Sequence, residues 1–196
     1  MKQTFTLLFL TLGSLSAQHL SIGIKGGVPI TGAFSDFTEN GVNTITHTFS
    51  DSNQYVIGPM IELHLPLGLS VEADGLYRPL NLATETRIVP STVIRSVTNI
   101  TSWEFPILGK FRLPFPIVKP YVEAGPSFRW VGSNATYISN TGVAFGGGVE
   151  LKLGRLRLGP EIRYTRWASD APAPTGVAFF APSSANQTEF LVGLSF

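Results

Sequence analysis

Apolar and polar residues alternate along most of this chain, in segments about ten residues long. In the first, Leu20, Ile22, Ile24 and Val28 interleave with Ser21, Gly23, Lys25 and Gly27. In the second, Tyr55, Ile57, Ile61, Leu63 and Leu65 interleave with Gly58, Glu62 and His64. The third sets Leu69, Val71, Ala73 and Tyr77 against Ser70, Glu72, Asp74 and Arg78. The fourth sets Trp103, Phe105, Ile107, Phe111 and Leu113 against Ser102, Glu104, Lys110 and Arg112. The fifth has Val122, Ala124, Phe128 and Trp130 against Glu123, Gly125, Ser127 and Arg129. The sixth has Val143, Phe145, Val149, Leu151 and Leu153 against Gly146, Gly148, Glu150 and Lys152. In the seventh, Leu156, Leu158, Ile162 and Tyr164 alternate with Arg157, Gly159, Glu161 and Arg163. In the last, Phe190, Val192, Leu194 and Phe196 alternate with Glu189, Gly193 and Ser195. Neighbouring residues of a strand point to opposite faces, so each segment predicts a strand with one apolar and one polar side.

The links between segments alternate too. Long polar links span 29–52, 79–100, 132–141 and 168–186. Tight turns fall at Pro66-Leu67-Gly68, Pro114-Phe115-Pro116 and Gly154-Arg155. An up-and-down, antiparallel, eight-stranded β-barrel has this form, all-β, with long loops at one end and short turns and both termini at the other. Strands of 9–11 residues, tilted, are long enough to cross a bilayer.

Period two does not say which face is inside. A soluble lipocalin-like barrel with an apolar lumen alternates equally well, and binding a ligand there is one reading of the pattern. Three features favour the inverted, transmembrane arrangement. The polar face carries most of the chain's charge: Lys25, Glu62, Glu72, Asp74, Arg78, Glu104, Lys110, Arg112, Glu123, Arg129, Glu150, Lys152, Arg157, Glu161, Arg163 and Glu189. Aromatics gather toward the long-loop end, at Tyr55, Tyr77, Trp103, Phe128, Trp130, Tyr164, Trp167 and Phe190, as membrane interfaces favour. The links are asymmetric.

The chain closes on Phe190-Leu191-Val192-Gly193-Leu194-Ser195-Phe196, an alternating strand with an aromatic carboxyl terminus. This segment resembles the assembly signal of bacterial outer-membrane proteins, with Phe190, Val192, Leu194 and Phe196 as its apolar row. Ile24-Lys25-Gly26-Gly27-Val28-Pro29 and Tyr121-Val122-Glu123-Ala124-Gly125-Pro126 resemble the outer-membrane β-barrel domain family of small OmpA/OmpX-like barrels. The resemblance covers residues 18–196 and implies the fold, an outer-membrane location, contact with membrane lipid and recognition by the barrel-assembly machinery. It implies no single activity.

Pro59, Pro106, Pro120, Pro126 and Pro160 fall inside the expected strands, where proline removes a ladder donor, so each predicts a bulge or a strand end. Residues 1–17 have a weakly basic start at Lys2, an apolar run from Thr4 to Leu12 and small residues at the exit. They read as a secretory signal peptide cleaved after Ala17.

Composition narrows the chemistry. The 196 residues carry 14 Lys+Arg and 13 Asp+Glu, and charged residues make up 14%, against roughly 25% in ordinary soluble domains. Near-neutral charge without a basic block argues against nucleic acid as a partner. Cys is absent, which excludes disulfides, cysteine zinc sites and thiol catalysis. No catalytic, metal or cofactor site is expected. His47 with Ser50 and Asp51 has the residue types of a hydrolase, but lies in a long link with no motif. Gly146-Gly147-Gly148 lacks the Lys-Ser/Thr of a phosphate loop and reads as room for bulky lumen neighbours. An eight-stranded barrel is just wide enough for side chains to fill. Equal numbers of acids and bases on the polar face predict a salt-bridged plug, with a narrow solute channel as the alternative. The expected protein is a monomer with a structural or surface-interaction role. Its long loops, including Pro172, Pro174, Phe179, Phe180 and Pro182, are the candidate surface for an extracellular ligand.

Overall fold

The computed structural model of the chain describes residues 20–31, 37–40, 44–50, 55–88, 92–132, 139–168 and 185–196. The expected signal peptide 1–17, Asp51, and Pro172, Pro174, Phe179, Phe180 and Pro182 of the last long link lie outside those residues. The described strands are β1 (Leu20–Pro29), β2 (Phe37–Asn40), β3 (Thr44–Ser50), β4 (Val56–His64), β5 (Leu69–Asp74), β6 (Leu76–Ile88), β7 (Thr92–Arg112), β8 (Val118–Val131), β9 (Thr141–Leu153), β10 (Leu156–Trp167) and β11 (Asn186–Ser195).

They form a closed, all-antiparallel, eight-stranded barrel. β1 closes it, pairing with β11 on one side (Lys25 opposite Gly193) and β4 on the other (Ile22 opposite Ile61). β5 and β6 make a single stave interrupted at Gly75. Met60 opposite Asp74 and Ile57 opposite Tyr77 keep one register across the break. Short turns at 65–68, 113–117 and 154–155 lie at the same end as Leu20 and Ser195. In the last of these turns Gly154 adopts a positive φ at the first central position of a two-residue hairpin, where glycine meets no steric cost.

Facing follows the sequence period. Ile22, Ile24, Ile61, Ile107, Phe111, Val122, Phe128, Val143, Phe145 and Ile162 are exposed on the outside. Lys25, Glu62, Glu72, Asp74, Arg78, Glu104, Lys110, Arg112, Glu123, Arg129, Glu150, Glu161, Arg163 and Glu189 are buried inside. A soluble barrel has the opposite polarity, so the lipocalin-like alternative does not describe this molecule.

The prolines do not produce bulges. The β7–β8 ladder runs from Pro106 opposite Ser127 to Gly109 opposite Ala124, and the β9–β10 ladder from Leu158 opposite Leu151 to Glu161 opposite Gly148. In both the register is unchanged across the gap, and the missing bridges include Pro126 and Pro160. A bulge would flip the facing of the residues beyond it, and the facing is unchanged on either side of these prolines. Pro59 and Pro126 each follow a glycine, and that glycine has its own cause. A Cβ on Gly58 would stand 1.8 Å from the Gly75 carbonyl oxygen, and one on Gly125 2.0 Å from that of Ile107. Glycine is needed there because neighbouring backbones close in on the lumen side.

Two of the long links are built differently from the expectation. β6 and β7 continue well past the barrel, pairing from Pro79–Thr101 up to Ile88–Thr92. β3 adds to β6 (Thr44 opposite Ile88, Ser50 opposite Leu82), and β2 adds to β3. Much of 29–52 and 79–100 is thus strand, forming a four-stranded sheet that rises from the long-loop end. β7, at 21 residues, serves both parts, since its second half lies in the barrel wall and its first half in the raised sheet.

Candidate functional site: the charged lumen

Inward side chains from every stave meet in three layers. The middle layer is the densest. Lys25 Nζ lies 3.0 Å from Glu161 and 3.3 Å from Asp74, and also donates to Glu72. Lys110 Nζ lies 2.6 Å from Glu72, 3.2 Å from Glu123 and 3.6 Å from Glu161. Arg163 spreads its guanidinium over Asp74 (2.9 Å), Glu123 (2.9 Å), Glu161 (2.7 Å) and Glu72 (3.4 Å). The Tyr121 hydroxyl donates to Glu161 at 2.7 Å, and Lys110 sits 4.5 Å from the Tyr121 ring centre. Gly148 makes room for this tyrosine: its Cβ would lie 2.8 Å from the hydroxyl, so this glycine of β9 serves packing.

The upper layer, toward the long-loop end, joins Arg78, Glu104, Arg129 and Glu189. Arg78 lies 3.1 Å from Glu189 and 3.6 Å from Glu104, and Arg129 3.2 Å from Glu104. Gln187 ties them together. Its Nε2 donates to Glu104 (2.8 Å) and Glu189 (2.9 Å), while its Oε1 accepts from Trp167 Nε1 at 2.9 Å and from Arg129. Trp167, expected among the interfacial aromatics, is instead buried in the lumen with the Arg129 guanidinium 3.7 Å from its ring centre. Its odd position matches Glu161 and Arg163, so the strand period decides its facing. Gln187 carries no charge to single it out in the sequence, but it too holds an inward position of β11. Beneath this layer Val56, Leu76 and Leu191 form an apolar patch.

The lower layer faces the short turns. Arg112 donates to Glu150 (2.8 Å), to Ser70 Oγ (2.7 Å) and to Glu62, and Ser70 donates to Glu62 in turn. Arg157 is half-buried and donates to His64. Lys152, expected in the network, is exposed at the rim beyond these groups. It belongs to the last pairs of the β9–β10 hairpin, past the point where the lumen is enclosed.

Two arrangements have the residue types of chemistry. Ser21 Oγ is 2.9 Å from His64 Nε2, and His64 Nδ1 is 3.9 Å from Glu62. A general base needs a free lone pair on Nε2, and here that atom accepts from Arg157. Glu62 is engaged by Arg112 and Ser70, and Ser21 is buried. The second is Glu72, Glu123 and Glu161, whose oxygens come within 4.8 Å of one another. Lys110 reaches all three, so an ammonium stands where a metal ion would bind. Neither grouping is visible in the sequence, because its members come from different staves. His47 and Ser50 lie three positions apart on β3, in the raised sheet and away from the lumen, with His47 in register with Glu85.

On the outside, Tyr55, Tyr77, Trp103 and Phe105 form a chain of ring contacts, with centroids 6.3, 5.4 and 6.4 Å apart. Trp130 lies opposite Trp103, and Tyr164 meets Phe145 at 4.8 Å. Phe190 and Phe196 are exposed on β11 and just beyond it, with Val192 and Leu194 half-exposed on the same row.

These features define a closed eight-stranded barrel with a charged core and an apolar exterior. Among solved structures the chain is similar to the outer membrane protein OprG from Pseudomonas aeruginosa, with TM-score 0.52 and 14% identity over 90% of this chain and 92% of that one. It also aligns with the outer membrane enzyme PagL, at TM-score 0.38 and 10% identity over 90% and 98% of the two chains. No family model matches the sequence, and no curated protein does. The likeness to OprG is one of fold.

Proposed function

We propose that this chain is an integral protein of the bacterial outer membrane, delivered by a cleaved signal peptide and contacting lipid through its apolar exterior. Its lumen is held shut by the three ionic layers, and its working surface is the sheet raised above the barrel. The observation that carries this reading is the polarity of the staves, with charge inside and aliphatic and aromatic residues outside. An apolar exterior around a closed ladder satisfies the bilayer's demand that no backbone polar group be left unpaired.

The space left among Lys25, Met60, Glu72, Lys110 and Glu161 is only about 20 Å³, near the volume of one water probe. A lumen so filled supports a plug over a channel. The raised sheet supports the interaction role. Val93, Ile94 and Val97 of β7 are exposed on it, and exposed apolar residues on a sheet that stands clear of the barrel suit contact with another surface. We also assign to the Phe190, Val192, Leu194 and Phe196 row the role of signal to the assembly machinery.

Conductance in planar bilayers tests the plug. The purified barrel is expected to give no steady conductance at neutral pH. Regular unitary steps from the unmodified protein would replace the plug with the channel reading.

A further inference from the structure

The short-turn mouth of the barrel holds a cavity of about 710 Å³ with two unlike walls. One wall is basic: Lys119, Lys152 and Arg157 line it beside Arg112, with Glu150 the only acid. Arg112 is neutralised by Glu62 and Glu150. Among the described residues, no carboxylate lies within ion-pair distance of Lys119, Lys152 or Arg157. Lys152 and Arg157 also stand directly opposite each other across the β9–β10 ladder. Like charges in that relation repel, a cost that an anion between them would remove.

The other wall is apolar, formed by Leu65, Leu67, Leu69, Phe111 and Leu113. Leu67 is 89% exposed. It also holds a left-handed φ, a conformation that costs a non-glycine residue free energy. Over Leu65, Leu69 and Phe111 the cavity adjoins a second depression of about 600 Å³ on the outer face of the barrel. The floor of this depression is set by two outward positions without bulk, Gly109 and Ala124, between Val71, Val122 and Phe145. A basic pocket at the membrane edge thus opens into an apolar slot running along the membrane-facing wall.

We propose that this continuous feature is a binding site for one anionic phospholipid of the inner leaflet. The phosphate lies between Lys152, Arg157 and Lys119, and an acyl chain lies in the slot over Gly109 and Ala124. A free phosphate would satisfy the cations and leave the slot unused. A zwitterionic lipid would fill the slot and bring no net charge to the mouth. The site rests on the barrel spanning a membrane, and each preparation is first checked for the folded, heat-modifiable form, so that failure of the fold and failure of the site are told apart.

The test uses the full-length folded protein in detergent, titrated with phosphatidylglycerol, with phosphatidylcholine of the same chains and with inorganic phosphate, and read by native mass spectrometry. Phosphatidylglycerol is expected to bind at least tenfold more tightly than phosphatidylcholine. Lys152→Gln combined with Arg157→Gln should remove that preference. Ala124→Trp, which fills the slot from the lipid side without touching the mouth, should weaken phosphatidylglycerol binding severalfold. Equal binding of the two lipids, or an unchanged preference in the Lys152/Arg157 variant, would overturn the proposal. So would inorganic phosphate displacing phosphatidylglycerol at equal concentration, which would make the mouth a site for a soluble anion.

Discussion

The hydroxyl of Tyr121 occupies the space that a side chain at position 148 would need: a Cβ on Gly148 would stand 2.8 Å from it and 2.4 Å from the Pro160 carbonyl oxygen. The tyrosine in turn holds Glu161 at 2.7 Å, within reach of Lys25, Lys110 and Arg163. A packing choice on β9 thereby supports the central ion cluster. Gly148→Ala is therefore expected to destabilise the barrel by about 1–3 kcal/mol, the range for overpacking a filled interior. The urea midpoint of unfolding in detergent or lipid checks this, with Gly154→Ala as a contrast in a position that has open space but a positive φ.

Glu72 serves three cations at once, Lys25, Lys110 and Arg163. Glu72→Gln removes the carboxylate that these three buried cations share, and breaking a buried pair from one side costs about 3–5 kcal/mol. Replacing Arg78 and Glu189 together with Met and Leu should cost far less, because no lone charge remains between them. A double-mutant cycle on refolding free energies separates these outcomes.

Ile107 points outward midway along the barrel part of β7, between the aromatic row at Trp103 and Phe105 and the turn-side Phe111. In a bilayer, Ile107→Arg is expected to cost about 2–4 kcal/mol, as cations do at the lipid midplane of a barrel. Ile45→Arg, on β3 above the barrel, is expected to be close to neutral. Equal, small effects at both positions would mean that the outer wall meets water.

Leu67 carries a left-handed φ at the tip of the β4–β5 turn. Leu67→Gly relieves that strain and should stabilise the folded barrel by about 1 kcal/mol. It also removes part of the apolar wall of the mouth, so the gain in thermal midpoint should come with weaker phosphatidylglycerol retention.

Facing is legible throughout the sequence because it depends on a local period. Glu161, Arg163 and Trp167 share parity on β10 and all point inward. Residue type alone sends Trp167 to the membrane interface, where position would have placed it in the lumen. Lys152 has the right parity but lies beyond the enclosed part of the lumen, and chain period carries no information about depth. Cross-lumen partners are a third kind of fact. That Lys25 meets Glu161, or Gln187 meets Trp167, depends on the stagger of closed ladders, which no single segment encodes. The prolines mislead for a related reason. A missing donor opens a ladder locally, yet the pairs on either side hold the register when both neighbours are fixed in a closed barrel. The raised sheet is hidden because β2 is only four residues long and β3 sets His47 between Ile45 and Phe49 on its less polar row. Neither gives the clean period-two signal of a strand with one apolar side.

The central claim is a closed barrel with its charges inside and lipid outside. Gel mobility of the protein extracted from outer membranes, compared before and after boiling, tests it most directly. The account predicts that the protein is found in the membrane fraction and migrates more slowly once boiled, as the compact, detergent-resistant barrel opens. Recovery from the soluble periplasm, with the same mobility boiled and unboiled, would contradict it.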